Sequence, residues 1–235
     1  MLHLTAMATH APEIEALAAD HGAESLTAQQ VVEAMVARFG GRVALACSFQ
    51  KEEAVLLDLL LKADPHARVF ALDTGVLFPE TYDAWRAVEK RYGIQVEAVQ
   101  GPTLGYQQAA HGDRLWETKP DLCCAIRKVE PLTRKLGELD AWIVGIRRDQ
   151  SPTRAGAQKI AWDASFEIWK AAPLADWSDD RVWDYIREHE LPVNPLHEQG
   201  YSSIGCTYCT KPGAGRDGRW AGKEKTECGL HRPLA

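Results

Sequence analysis

A chain of 235 residues with 46% hydrophobic and 26% charged side chains is long enough for one sizeable domain and ordinary in composition for a globular protein. Its formal net charge of -6 argues against a general nucleic-acid binder, which needs a basic footprint, and no run of about 18 apolar residues is present to span a bilayer. The opening MLHLTAMATHAPEIEALAAD has neither the basic start nor the apolar block of an export signal, so a cytoplasmic enzyme without membrane or nucleic-acid partners is expected.

The first forty residues predict helices. In LTAQQVVEAMVARFG, which follows APEIEALAADHG, Thr27 and Gln30 have the spacing of a capping box, and Gly40 and Gly41 form a stop. RVALAC (42–47) predicts a short buried strand that leads through SFQKEE into the helical pattern AVLLDLLLKA. RVFALD (68–73) predicts a second strand, TGVLF a loop and PETYDAWRAVEKRYG a helix with Pro79 near its start. QVEAVQ (95–100) and AWIVGI (141–146) are the third and fourth strands, SPTRAGAQKIAW reads as an exposed loop running into short strands, and SDDRVWDYIREHE is a helix capped by Ser178.

Strands alternating with helices predict an α/β fold with a mostly parallel sheet covered by helices on both faces. Ligands bind such sheets at the carboxyl ends of the strands, which brings forward Ser48, Asp73, Thr74, Gly75, Arg147 and Arg148. Each of these also suits a turn or a cap. From Lys211 onward six Lys or Arg face three Asp or Glu, so a locally positive tail follows an acidic body, either as a solvated charged end or as a lid for an anion.

Six cysteines stand at 47, 123, 124, 206, 209 and 228. Without an export signal, metal or redox chemistry fits them better than three disulfides. The vicinal pair in DLCCAIRK and the CxxC of IGCTYC supply four thiolates, enough for a tetrahedral zinc or an iron-sulfur cluster. Adjacent residues point their side chains in different directions and chelate one ion awkwardly, so a [4Fe-4S] cluster fits better; buried small hydrophobes are the plainer reading of CC. Cys47 lies in an apolar strand and reads as core. Cys228, in the cation-rich tail, is either an incidental thiol or a nucleophile able to visit two partners.

Taken together, SFQKEE, LDTG with PETY, CCAIRKVEPL, GIRRDQSPTR, NPLHEQGYSSIGCTYC, GRDGRW and ECGLH resemble the adenylyl-sulfate (APS) and phosphoadenylyl-sulfate (PAPS) reductase family of assimilatory sulfate reduction, from about Val43 to Pro233. The resemblance implies a nucleotide α-hydrolase-like fold related to the ATP-pyrophosphatase loop proteins. It divides the chain into a helical segment (1–41), a nucleotide-binding reductase domain (42–210) and a mobile lid (211–235). It implies one [4Fe-4S] cluster per chain on Cys123, Cys124, Cys206 and Cys209, and APS rather than PAPS as substrate, because both cysteine pairs are present. Cys228 would be the nucleophile with His231 beside it; Lys128, Arg216 and Arg219 would hold the phosphosulfate; Ser48, Asp73, Gly75 and Arg147 would line the nucleotide pocket. Electrons would come from a separate thioredoxin or glutaredoxin, and a homo-oligomer is implied. One departure is visible: many members carry a glycine in the first loop, as in SFSGAE, where this chain has Gln50, Lys51 and Glu52, so that Lys51 would supply charge in place of a close backbone approach. A PAPS or dual-specificity reductase, a tRNA-thiolating enzyme and a non-catalytic zinc module are the rival readings.

Overall fold

The computed structural model describes residues 11–231. Helices α1 (Pro12–Ala18) and α2 (Ala28–Phe39) come first, and the capping box is present: Gln30 N–H donates to Thr27 Oγ1 at 3.2 Å, and Thr27 N–H donates to Gln30 Oε1 at 2.9 Å. Then follow β1 (Val43–Ala46), α3 (Lys51–Ala63), β2 (Arg68–Asp73), α4 (Pro79–Tyr92) and β3 (Glu97–Gln100). After α5 (Leu104–His111) and α6 (Leu115–Thr118), helix α7 (Pro120–Cys124) passes through a π-helical turn (Ala125–Val129) into α8 (Glu130–Leu136). Strands β4 (Ala141–Ile143), β5 (Ile160–Asp163) and β6 (Ile168–Ala171) and helix α9 (Asp179–Glu188) complete the regular elements.

The six strands form one sheet in the order β3-β2-β1-β4-β6-β5, with every pairing parallel except β5 against β6. Alternation along the strands fills both faces. Val43, Leu45 and Ile143 point into one apolar core with α2, α3 and α9, while Ala44, Phe70 and Trp142 point into the other with Leu132 and Leu136 of α8. The predicted mostly parallel sheet with helices on both faces is therefore observed, with β5 as the one antiparallel strand. β4 ends three residues before AWIVGI suggests, because at Gly145 the chain passes over Glu52 and Glu53 with no room for a side chain: a Cβ there would lie 2.3 Å from Glu53 Oε1. No helix of the described residues is long and apolar enough to cross a membrane.

β1 leads to β2 and β3 on one side and has β4 on the other, so the connections reverse direction beside β1. That reversal opens a crevice at the carboxyl ends of β1 and β4. The tail borders it: Arg216, Arg219, Cys228 and His231 line the crevice, and Leu230 packs on the second core.

Candidate active site

A cavity of about 420 Å³ occupies the crevice. Its floor is apolar, with Phe70, Leu132 and Trp142 among its lining, and its two ends are charged in different ways.

One end is formed by the loop after β1. Phe49 takes a left-handed backbone (φ 57°), held by stacking on Trp85 at 4.9 Å between ring centroids, so the turn that a glycine would ease is made here by a buried aromatic. Ser48, Lys51 and Arg147 line this end, and their polar groups are engaged internally. Ser48 Oγ donates to Glu53 Oε2 at 2.7 Å, and the Lys51 backbone N–H donates to His197 Nε2 at 3.2 Å. The Lys51 ammonium pairs with Asp179. Arg147 is buried between Glu52 at 3.0 Å, Asp149 at 2.5 Å and Asp179 at 2.7 Å. Asp73 and Gly75 shape the turn after β2 and are not among the residues that line the cavity. The Asp73 carboxylate accepts from Gly75 N–H, Tyr82 Oη and Gln100 Nε2 at 2.9, 2.7 and 2.8 Å, which uses it as a turn anchor.

Glu53 is buried beneath this loop. Burial, with Glu52 beside it, raises its pKa from the ordinary carboxyl value of 4.5 to about 7, although Ser48 and the Gln50 N–H favour the ionised form. A carboxyl raised on folding holds its proton more tightly in the native state, so it stabilises the fold below pH 4.5 relative to high pH, and that contribution is lost as pH rises through about 7. Glu53→Gln is therefore expected to flatten the pH dependence of unfolding between about 5 and 8 and to raise stability at pH 8 by on the order of 3 kcal/mol, measured by urea denaturation across that range.

The other end belongs to the tail. Cys228 is buried and lines the cavity together with Lys128, Arg216, Arg219, Arg154 and His231. Burial would raise its thiol, but Lys128 and Arg219, with the hydrogen bond from the Leu230 backbone, outweigh burial and bring Cys228 below the ordinary thiol value. Cys47, which sits in the core at the end of β1 as expected, is pushed well up by burial and by Glu53. Lys128 is buried too, yet the sulfur groups of Cys206 and Cys228 keep its pKa above the usual lysine value. Arg219 donates to Ile204 C=O at 3.1 Å and stacks on Trp220 at 4.6 Å, and its buried Nε–H has no partner among the described residues. His231 stacks on Trp142 at 5.5 Å; burial, then Lys170, Arg154 and Arg216, hold its pKa well below 6.5, so the imidazole is neutral and supplies no positive charge.

Behind Lys128 lies a second, small cavity ringed by Cys123, Cys124, Cys206 and Cys209, the four thiols singled out as a ligand set. The vicinal pair does diverge: Cys123 packs with Leu115, Trp116 and Ile126, whereas Cys124 packs with Trp220 and Cys228. Among the described residues no three Cys, His, Asp or Glu side chains converge as they would on one metal ion. The donor chemistry of the ring fits a larger, sulfur-rich anionic group. Among the described residues Arg127 Nε and Nη2, Trp116 Nε1 and Trp220 Nε1 are buried N–H donors without partners, all on residues that line this cavity, and such orphans are costly unless an acceptor meets them. Thr74 Oγ1 lies 3.4 Å from Cys206 Sγ, and Arg127 Nη1 bonds Thr74 C=O at 2.5 Å, tying the ring to the end of β2. The π-helical turn makes this arrangement local: its widened register buries the consecutive residues Arg127 and Lys128, with Lys128 lining both cavities.

Sequence reasoning did not single out Arg154, Glu227, Arg127, Thr74 as a thiol partner, or the three tryptophans 116, 142 and 220. Arg154 and Glu227 lie inside the quoted stretches GIRRDQSPTR and ECGLH, but only the fold shows that they meet.

A parallel sheet with a pocket at its carboxyl edge is a nucleotide-binding α/β fold, and a buried thiol set among cations inside that pocket suits attack on an anionic electrophile. Residues 42–212 match the phosphoadenosine phosphosulfate reductase domain, and the chain belongs to that family. An adenosine 5'-phosphosulfate reductase 2 of Bacillus subtilis is 48% identical over 83% of this chain and 85% of its own. A phosphoadenosine 5'-phosphosulfate reductase of Gloeobacter violaceus is 46% identical over 88% and 90%. Among solved structures, a phosphoadenylyl-sulfate reductase from Candida auris in complex with phosphate superposes with a TM-score of 0.74 at 30% identity, covering 86% of this chain and 98% of the other. A Candida glabrata FMN adenylyltransferase shares the fold at 16% identity, with a TM-score of 0.57.

Proposed function

We propose that the protein is a thiol-dependent reductase of adenylyl sulfate, producing sulfite and AMP, with Cys228 as the nucleophile. The observation that carries the reading is Cys228 itself, buried in the pocket of a nucleotide-binding fold with Lys128 and Arg219 lowering its pKa. The Cys228 thiolate attacks the sulfur of APS; the new S–S bond forms as the S–O bond to the phosphate breaks, and the electron pair leaves on the phosphate oxygen as AMP. A thiolate of a dithiol protein, thioredoxin or glutaredoxin, then attacks Cys228 Sγ and expels sulfite. The donor's second thiol resolves the mixed disulfide, so the two donor thiols supply both electrons. Lys128 and Arg219 offset the repulsion between an anionic nucleophile and an anionic sulfonyl group, while Arg216 borders the same pocket paired with Glu227. Cys123, Cys124, Cys206 and Cys209 would hold a [4Fe-4S] cluster, which when bound supplies cross-linking and local electrostatics.

Preference for APS over PAPS is supported by the charge at the loop end of the pocket. Lys51 is paired with Asp179, and Arg147 with Glu52, Asp149 and Asp179, so these two cations are already neutralised and do not favour a second phosphate. With reduced thioredoxin, kcat/KM for APS is expected to exceed that for PAPS by about tenfold or more. Equal or faster use of PAPS would move the reading to the activity that the Gloeobacter relative is named for.

A further inference from the structure

The tail is fastened to the body at three places that differ in kind. Upstream of the nucleophile, Lys223 Nζ donates to the Trp116 and Glu117 carbonyls at 3.0 and 3.1 Å, and Lys225 pairs with Asp121. Downstream, Leu230 packs on the core and His231 stacks on Trp142. Directly before Cys228 stands Glu227, whose carboxylate has a role of another sort.

Glu227 meets Arg154 edge to edge. Arg154 Nε donates to Oε1 at 3.3 Å and Nη2 to Oε2 at 3.4 Å; Thr153 Oγ1 donates to Oε1 at 3.2 Å and Arg216 Nη2 to Oε2 at 2.9 Å. Arg154 is oriented from behind, its Nη1 donating to Gln150 Oε1 at 2.5 Å. The side chains of Glu227, Arg154 and Arg216 are only 16%, 12% and 14% exposed, so the contact is shielded from water and from salt in a way that surface pairs are not. Thr153 and Arg154 belong to the loop after β4, Glu227 and Arg216 to the tail, and Glu227 is one peptide from the nucleophile. Freeing Cys228 from the pocket requires this contact to break, because its backbone cannot move outward while the adjoining carboxylate is held.

We propose that Glu227 is a positioning residue, which with Arg154 forms the clasp that holds the tail closed and Cys228 in the pocket. The proposal rests on the reductase reading only for the role of Cys228, and the clasp can be tested without any nucleotide. In cluster-loaded protein under anaerobic conditions, the rate of Cys228 alkylation by iodoacetamide is followed by peptide mass spectrometry. Glu227→Gln is expected to react about tenfold faster than the parent protein, as the loss of one shielded charge-assisted contact gives. Removing the carboxylate also favours the thiolate, so the second variant decides: Arg154→Gln removes a cation and cannot accelerate alkylation by that route, yet it too is expected to react faster. The double variant should react no faster than the faster single one, as for partners in a single contact.

With APS and no thiol donor, both single variants should sulfonate Cys228 more slowly, while cluster absorbance per chain and melting temperature stay at parent values. A merely structural lesion would lower all of these together. An unchanged alkylation rate in Arg154→Gln, or additive acceleration in the double variant, overturns the clasp. If alkylation follows the clasp but no variant nor the parent forms an adduct with APS, the clasp stands and the reductase reading fails.

Discussion

Turnover is expected to fall by at least about 10⁴-fold in Cys228→Ser, the scale on which loss of a covalent nucleophile acts. The reason is specific to this thiol. Burial drives Cys123 and Cys124 up to about 11 and also raises Cys47 and Cys209 above the ordinary thiol value. Cys228 is equally enclosed, but Lys128 and Arg219 reverse the balance and lower it. A serine hydroxyl in the same place keeps the volume and most of the polarity, so the fold and the neighbouring thiol ring should be unaffected; its pKa is far too high for those two cations to ionise it. Assay of sulfite release with reduced thioredoxin, next to cluster absorbance per chain, separates the chemical loss from a structural one. Retained turnover in this variant would remove Cys228 from the reaction.

Lys128→Met should have the next largest effect, a loss of about 10²–10³ in kcat/KM, comparable with removing one preorganised donor from a transition state. Lys128 is a buried cation that lines both the substrate cavity and the ring of four thiols. Methionine preserves the length of its stem and removes only the charge. Cys228 then remains buried with Arg219 as its main cation, so its pKa should rise, and the negative charge of the incoming sulfate is no longer offset at the point of attack. Steady-state kinetics with APS measure the loss, and a change of less than about threefold would show that Lys128 acts only in packing.

The parallel sheet and the capping box were legible because they are written in local periodicity: alternate residues of β1 and β4 serve opposite cores, and Thr27 and Gln30 need only each other. Cys228 was singled out for a different reason, its place in a cation-rich stretch together with the resemblance to the reductase family. Charge pairing was not legible. Lys51 looked available for phosphate until α9 brought Asp179 against it, 128 residues further along the chain. Asp73 looked like a ligand residue because it ends a strand, but Tyr82 and Gln100 recruit it to hold the turn. In the same way the orphaned donors of Arg127, Trp116 and Trp220 acquire a meaning only when four cysteines from two distant stretches ring the same cavity. Motif spacing gives residues of the right chemistry; which of them remain uncommitted is decided by tertiary contacts.

The measurement that bears most directly on this account is a single-turnover mass spectrum of anaerobically purified, cluster-loaded protein mixed with APS in the absence of any thiol. The expected result is one adduct with the mass of a transferred sulfonate, formed with release of one AMP, mapped to Cys228 and discharged as sulfite when reduced thioredoxin is added. AMP release without an adduct, or an adduct on any other cysteine, would contradict it.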